Sequence, residues 1–282
     1  MGIFTRRRPA EHNVRILERL PVGQSTKPVQ FGGVSAQIAG FDKDPYFQNI
    51  QAHTNALAPL YKVVSAVCPD DGVIIDVGAN IGISAILMSL MNPNGKTICV
   101  EPSPRNFELL QRNVPANAPH AILMRCAVAA EDGEVSFYDN PDSGAWALVT
   151  ETSAVTVQVP ATTLDSLVES LGLTRVDFIK IDVEGFETSV LAGMKKTVER
   201  FNPVVHMEIN SLATILEANR NPWDLLSDFI SLMGNVYAYG PNDVLESVAT
   251  HGQQKTFLFR NLTQRGLIDD VVGCRDASRL AT

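Results

Sequence analysis

The sequence predicts an α/β fold: a mostly parallel, seven-stranded, Rossmann-like sheet with helices on both faces and an N-terminal appendage of hairpin and helix. Three observations carry this. Apolar runs of strand length alternate with helix-period segments through residues 71–210, the first run ends in a glycine-bracketed turn, and the second ends in a carboxylate. The organisation that follows is an appendage over residues 1–70, a main domain over 71–262 and a tail over 263–282.

In the appendage, a short amphipathic stretch at residues 14–20 precedes two β-like runs, Val29 to Phe31 and Val34 to Ile38. Gly32-Gly33 separates them, which signals a hairpin. Ile50, Leu57, Leu60, Val63, Val64 and Val67 then recur at helical spacing, with Pro59 set to kink or divide the segment. In the main domain, Val73 to Val77 reads as a strand buried on both faces, with a helix over 81–91. Residues 97–100 form the second strand, and Ser103 caps a helix reaching about Arg112. Residues 121–128 read as one third strand, while 134–138 and 155–159 pair as an inserted hairpin. A short helix over 163–171, a fourth parallel strand over 176–181, one long helix over 187–201 and a fifth strand over 204–209 follow. Beyond them come a helix over 223–233, two strand candidates at 236–239 and 256–259, and a polar, loosely specified end.

The 282 residues, 45% apolar and 19% charged, supply enough apolar side chains for a substantial core. A net charge of −8 argues against non-specific nucleic-acid binding, which needs a positive field, and favours a neutral or cationic substrate. No apolar run reaches the roughly 18 residues of a membrane span, so no membrane insertion is expected. The first residues are charged where a signal peptide turns apolar, and Arg6 breaks the myristoylation pattern. Arg6, Arg7 and Arg8 read as a solvated terminus. Cys68, Cys99, Cys126 and Cys274 form no C-x-x-C pair, which predicts free thiols and fits a reducing, cytoplasmic setting.

Ligands of such sheets bind beyond the carboxyl ends of the strands, so the chemistry is sought there. The first strand ends in Asp76-Val77-Gly78-Ala79-Asn80-Ile81-Gly82, where Gly78 and Gly82 bracket a turn that leaves backbone open to a ligand at a helix N-terminus. The spacing lacks the middle glycine of the dinucleotide fingerprint, so a ligand without phosphates fits better. Glu101, followed by Pro102 and Ser103, stands where a carboxylate accepts both ribose hydroxyls. Asp182 and Glu184, two apart, share one face if extended; they suit orienting an ammonium, taking a proton or holding a cation, and capping the next helix is the plainer use. Glu208 at the end of the fifth strand is a general-base candidate, with Asn210 beside it; His206, deeper in the strand, reads as a satisfied core residue.

Asp76-Val-Gly-Ala-Asn-Ile-Gly82, Glu101-Pro102, Asp177-Phe-Ile-Lys-Ile-Asp-Val-Glu-Gly-Phe-Glu187 and Pro203-Val-Val-His-Met-Glu-Ile-Asn210 together resemble the FkbM family of methyltransferases. The resemblance spans about residues 70–210 and implies a class I methyltransferase fold. It implies S-adenosyl-L-methionine as cofactor and O-methylation of a hydroxyl on a sugar, glycan or natural product, by in-line methyl transfer. On this basis the cofactor site comprises Asp76, Gly78, Asn80, Gly82, Glu101, Pro102, Ser103, Cys126, Ala127 and Asp182. Asp182, Glu184 and Glu208 are the catalytic candidates. Trp146, in a turn-rich insert, is a candidate for the acceptor, as are His53, Tyr46 and Asn210; His53 is also a rival base.

No set of hard ligands at recognisable spacing requires a metal, and none is assigned. The partner expected is a small-molecule or glycan acceptor, with homo-oligomerisation left open. Two other classes are considered. A silent S-adenosylmethionine-binding module would have no need of Asp182, Glu184 and Glu208; a nicotinamide oxidoreductase would have the compact pyrophosphate loop missing here.

Overall fold

The computed structural model describes residues 20–31, 34–139 and 155–280. The N-terminal part holds β1 (Gln24–Phe31), β2 (Val34–Phe41), α1 (Pro45–Gln48), α2 (Ile50–Ala56) and α3 (Ala58–Val67). Then follow β3 (Val73–Val77), α4 (Ile83–Met91), β4 (Lys96–Val100), α5 (Pro104–Asn117), β5 (Ile122–Met124), β6 (Ala127–Val128), β7 (Gly133–Asp139) and β8 (Val155–Thr162). The next are α6 (Leu164–Ser170), β9 (Phe178–Ile181), α7 (Glu187–Ala192), α8 (Lys195–Phe201), β10 (Val204–Asn210) and α9 (Ser211–Leu216). The chain continues through α10 (Pro222–Met233), β11 (Asn235–Tyr239), β12 (Leu245–Ser247), α11 (His251–Gln264) and β13 (Ile268–Cys274).

The main sheet has eight strands in the order β12-β11-β13-β10-β9-β3-β4-β5, one more than expected because the three-residue β12 extends the edge. β5, β4, β3, β9 and β10 run parallel, and β13 inserts antiparallel between β10 and β11. That strand lies in the segment read from sequence as a tail. Val271, Val272 and Cys274 are fully buried, but two aspartates and a glycine interrupt the apolar pattern that would have marked a strand. Residues 256–259 are helical, not extended: Thr250 and Gln253 form a capping box that starts α11, and Phe257, Leu258 and Asn261 repeat at helical spacing on its buried face. The expected third strand is two, β5 and β6. The long helix over 187–201 is broken at Gly193, where a side chain would meet the Ala129 carbonyl at 2.1 Å.

α3 carries Pro59 in its first turn, where the missing N–H costs no hydrogen bond, so the proline divides the helical segment. β1 and β2 pair as the predicted hairpin, its glycine turn lying outside the described residues. This hairpin and α1 to α5 share a core with one face of the sheet, through Ile38, Phe47, Leu60, Ile74, Cys99, Phe178 and Val272. Asn113 of α5 joins them at the centre: it accepts from Ala39 N at 2.7 Å and donates to Ala39 O at 2.9 Å and Ile81 O at 2.8 Å. Helices α6 to α8, α10 and α11 cover the opposite face, and β6, β8 and β7 form a small separate sheet. Three of the four free cysteines are buried. No helix among the described residues is long and apolar enough to cross a membrane.

Candidate active site

Strand register places the polar residues of β3, β9, β10 and β13 in two rows. Asp76 pairs with Lys180 and Lys180 with His206, so these three lie side by side on the face that α1 to α5 cover. Two residues on, towards the carboxyl ends of the parallel strands, come Asp182, Glu208 and the cross-strand partner of Glu208, Asp270. The lower row is almost wholly buried, with Asp76 at 0%, Lys180 at 4% and His206 at 3% exposure. Lys180 Nζ lies 2.9 Å from Asp182 Oδ2 and 3.6 Å from Asp76 Oδ1. Burial works against its charge, but Asp182 and Asp76 outweigh that and lift its pKa above the ordinary lysine value. Burial raises Asp76, while Lys180 and the Ser84 hydroxyl, donating at 2.7 Å, pull it back. Burial, aided by Lys180, pushes His206 down to about 3, so its ring is neutral. Neither ring nitrogen has a hydrogen-bond partner, so His206 is buried but not satisfied as the sequence suggested.

The turn after β3 is shaped by the protein's own packing. Gly78 has φ +84, and a side chain there would stand 1.8 Å from the Asp182 carbonyl. Gly82 has φ +103 and faces Val114 of α5 at 2.6 Å. Beyond leaving backbone open to a ligand, the glycines let this loop pack against the end of β9 and against α5. Gly78 still lines the cavity; Asp76 and Gly82 lie behind its wall. Glu101, buried at the end of β4, accepts from Asn80 N and Ser103 N, each at 2.9 Å, which fixes its carboxylate at the rim of the turn.

Beyond Ile181 the chain leaves the strand. Glu184 has φ +51 and Gly185 +102, so Glu184 reaches the side of Asp182 through a left-handed turn, not through the shared strand face expected. Glu187, the first residue of α7, folds back over this turn and accepts from Gly185 N at 3.0 Å and Val183 N at 3.2 Å; α7 has no side-chain cap, so the capping use considered for Glu184 is not made. One carboxylate oxygen each of Asp182, Glu184 and Glu208 lies within 4.8 Å of the others. Burial first, then Asp182, raises Glu184 to about 8 and lifts Glu208 well above the carboxylate range. The same causes bring Asp270 to about 7, and burial brings Glu187 to about 7.

A cavity of about 940 Å³ joins these parts, within the size range of small-molecule sites. At one end it meets Glu101, Pro102, Ser103 and Asn106, then Cys126, Ala127 and Val128; at the other, Asp182, Glu184, His206, Glu208 and Asp270. Tyr46 and His53, stacked with ring centroids 4.3 Å apart, wall it from the side of α1 and α2. Asn210, expected near the acceptor, is buried outside the cavity. It caps α9 through Ala213 N at 3.1 Å and donates to Glu184 Oε2 at 2.9 Å, so it positions that carboxylate. Trp146 lies outside the described residues. Sequence reading missed Asn106, whose buried Oδ1 has no partner, and Asp270. It also missed Lys180 as the ion between two acids; a lysine within Phe178-Ile179-Lys180-Ile181 was the available signal, since a buried amine needs a counter-charge.

Five parallel strands with an antiparallel neighbour, a glycine turn after the central one and a buried acid after the next define a class I methyltransferase fold. Within that class the chain belongs to the FkbM methyltransferases, whose domain matches residues 76–240. It is 31% identical over 138 residues to the hexuronic acid methyltransferase AglP of Haloferax volcanii, covering 48% of this chain and 55% of that protein. It is 27% identical over 172 residues to the 2-O-methyltransferase NoeI of Sinorhizobium fredii, covering 55% and 70%. The 31-O-demethyl-FK506 methyltransferase FkbM of Streptomyces tacrolimicus is 27% identical over 154 residues, covering 44% and 59%. The matched region thus spans little more than half the length of most of these relatives.

Proposed function

We propose that this protein transfers a methyl group from S-adenosylmethionine to a hydroxyl of a sugar, glycan or related natural product. The observation that carries the reading is one cavity with two chemically different ends. Glu101 and the unpartnered Asn106 Oδ1 are acceptors suited to ribose hydroxyls, with Cys126, Ala127 and Val128 as a mostly apolar wall for a flat base. Asp182, beside Gly78 and held by Lys180, suits an ammonium. S-adenosylmethionine, when bound, supplies an electrophilic methyl carbon.

The acceptor end is the work of this chain's own side chains. Glu208, with its Oε2 buried and unpartnered, is the group to take the hydroxyl proton; His206, at about 3, is the weaker base. Tyr46 and His53 limit water on the open side. Alignment of reacting groups contributes ~7–11 kcal/mol in such reactions, and a base about 10²–10⁴-fold more. The names of the three relatives, for a hexuronic acid, a 2-O and a 31-O position, support oxygen as the atom methylated. The test is incubation with S-adenosylmethionine and a panel of uronic acids, neutral sugars, macrolides and amines, followed by mass spectrometry. Methylation of a hydroxyl acceptor, lowered about 100-fold or more by Glu208→Gln, is expected. Methylation confined to amines would overturn the oxygen assignment.

A further inference from the structure

We propose that Asp182, Glu184 and Glu208 bind one hard divalent cation of the Mg²⁺ type, Glu208 through one carboxylate oxygen so that its other oxygen still takes the acceptor proton, and that this ion chelates two neighbouring oxygens of the acceptor. The inference rests on the methyltransferase reading for its role, but the site itself stands on geometry. One oxygen from each carboxylate falls within 4.8 Å of the others. Ligand oxygens on opposite sides of a bound Mg²⁺ or Ca²⁺ are about 4–5 Å apart, twice the metal–oxygen bond, so the three converge at the spacing an ion needs.

The surroundings point to a missing positive charge. Glu208 Oε2 is buried with no hydrogen-bond partner, and Asp270 sits directly across the strand pair from it. Like charges directly opposite destabilise a sheet unless something intervenes. Lys180, the ammonium in these rows, is already held between Asp182 and Asp76. The separate observation is His206: 3% exposed, on the cavity wall one step below Glu208, with no hydrogen bond to either ring nitrogen and Nδ1 4.0 Å from Asp270 Oδ1, beyond hydrogen-bond reach. A buried polar ring facing the cavity without a partner is what a hydrated ion, through its water ligands, satisfies. The other two ligands are oriented in advance: Asn210 Nδ2 holds Glu184 Oε2, and Lys180 holds Asp182 Oδ2.

The all-oxygen donor set selects Mg²⁺, Mn²⁺ or Ca²⁺ over softer ions. An ion here also resolves an electrostatic difficulty, because a cavity end lined by Asp182, Glu184, Glu208 and Asp270 repels any acidic acceptor. With the ion in place, a vicinal diol or a hydroxyl beside a carboxylate becomes the favoured acceptor, since both offer two oxygens to one metal.

The test is titration of EDTA-stripped protein with Mn²⁺, free Mn²⁺ being read by electron paramagnetic resonance and S-adenosylmethionine binding by calorimetry on the same samples. The expected result is one Mn²⁺ per chain, displaced by Mg²⁺, with affinity at least ~tenfold weaker in Glu208→Gln and in Glu184→Gln. Cofactor affinity in both variants should stay within about twofold, which also reports that they fold. Absence of saturable Mn²⁺ binding in wild-type protein that binds S-adenosylmethionine overturns the metal site alone. Unchanged Mn²⁺ affinity in both variants does the same by placing the ion elsewhere. Mn²⁺ binding without cofactor binding would keep the site and overturn the methyltransferase reading.

Discussion

Glu208 of β10 and Asp270 of β13 face each other directly across an antiparallel strand pair, carboxylate opposite carboxylate. Both line the cavity, to which Asp182 and Glu184 add two more acids. Replacing one member with a neutral isostere should ease ionisation of the other. Asp270→Asn is expected to shift the acidic limb of the pH–rate profile downward by about 1 pH unit, because Glu208 then loses its proton more readily. An unmoved limb would show that Glu208 does not sense Asp270.

The buried carboxylates also set a pH dependence of stability. Folding raises Glu187 and Asp270 to about 7 and Glu184 to about 8, so their contribution is full below their unfolded values near 4 and is lost as pH rises through 7 to 8. His206 acts oppositely, but only below the ordinary histidine value. The melting temperature of EDTA-treated protein should therefore fall between pH 6.5 and 8.5. Glu187, 1% exposed, costs ~1.4 kcal/mol for each pH unit between its unfolded value and the ambient pH, up to its folded value, while solvent screening makes the share of half-buried Glu184 and of Asp270, 35% exposed, smaller. Differential scanning calorimetry across that range checks both sign and size.

Lys180→Met should destabilise the fold by about 3–5 kcal/mol, since it leaves Asp76 buried without its cation. Urea unfolding at pH 7 measures the loss. The loss should shrink in an Asp76→Asn background, because the uncompensated charge is then gone.

Asn210→Ala separates positioning from acceptor contact. Loss of the α9 cap costs ~1 kcal/mol, and Glu184 loses its amide donor. Because Asn210 lies outside the cavity, kcat should fall with KM for the acceptor little changed. A large rise in acceptor KM would mean that Asn210 reaches the substrate.

Four of the five parallel strands were legible because each is a short apolar run closing on a residue that breaks the pattern: Gly78, Glu101, Asp182 and Asn210. The placing of Glu101, Asp182 and Glu208 at strand ends followed from those endings. What sequence spacing did not convey was packing at a distance. Gly78 and Gly82 are required by Asp182 and Val114, which lie far along the chain. β13 was hidden because Asp269, Asp270 and Gly273 interrupt its buried residues, and with it went Asp270 as a member of the site. The strand-like composition of residues 256–259 lost to a helix whose start is fixed by Thr250 and Gln253. Asn210 looked available because it follows Glu208, yet the strand ends there and its side chain is used by α9.

The central claim is that Glu101 anchors S-adenosylmethionine in this cavity. Calorimetric binding of S-adenosylmethionine and its demethylated product to wild-type protein and to Glu101→Ala tests it most directly. Saturable binding to wild type, weakened at least ~tenfold in a folded Glu101→Ala, is expected. No binding to folded wild-type protein, or equal affinity in the two, would contradict it.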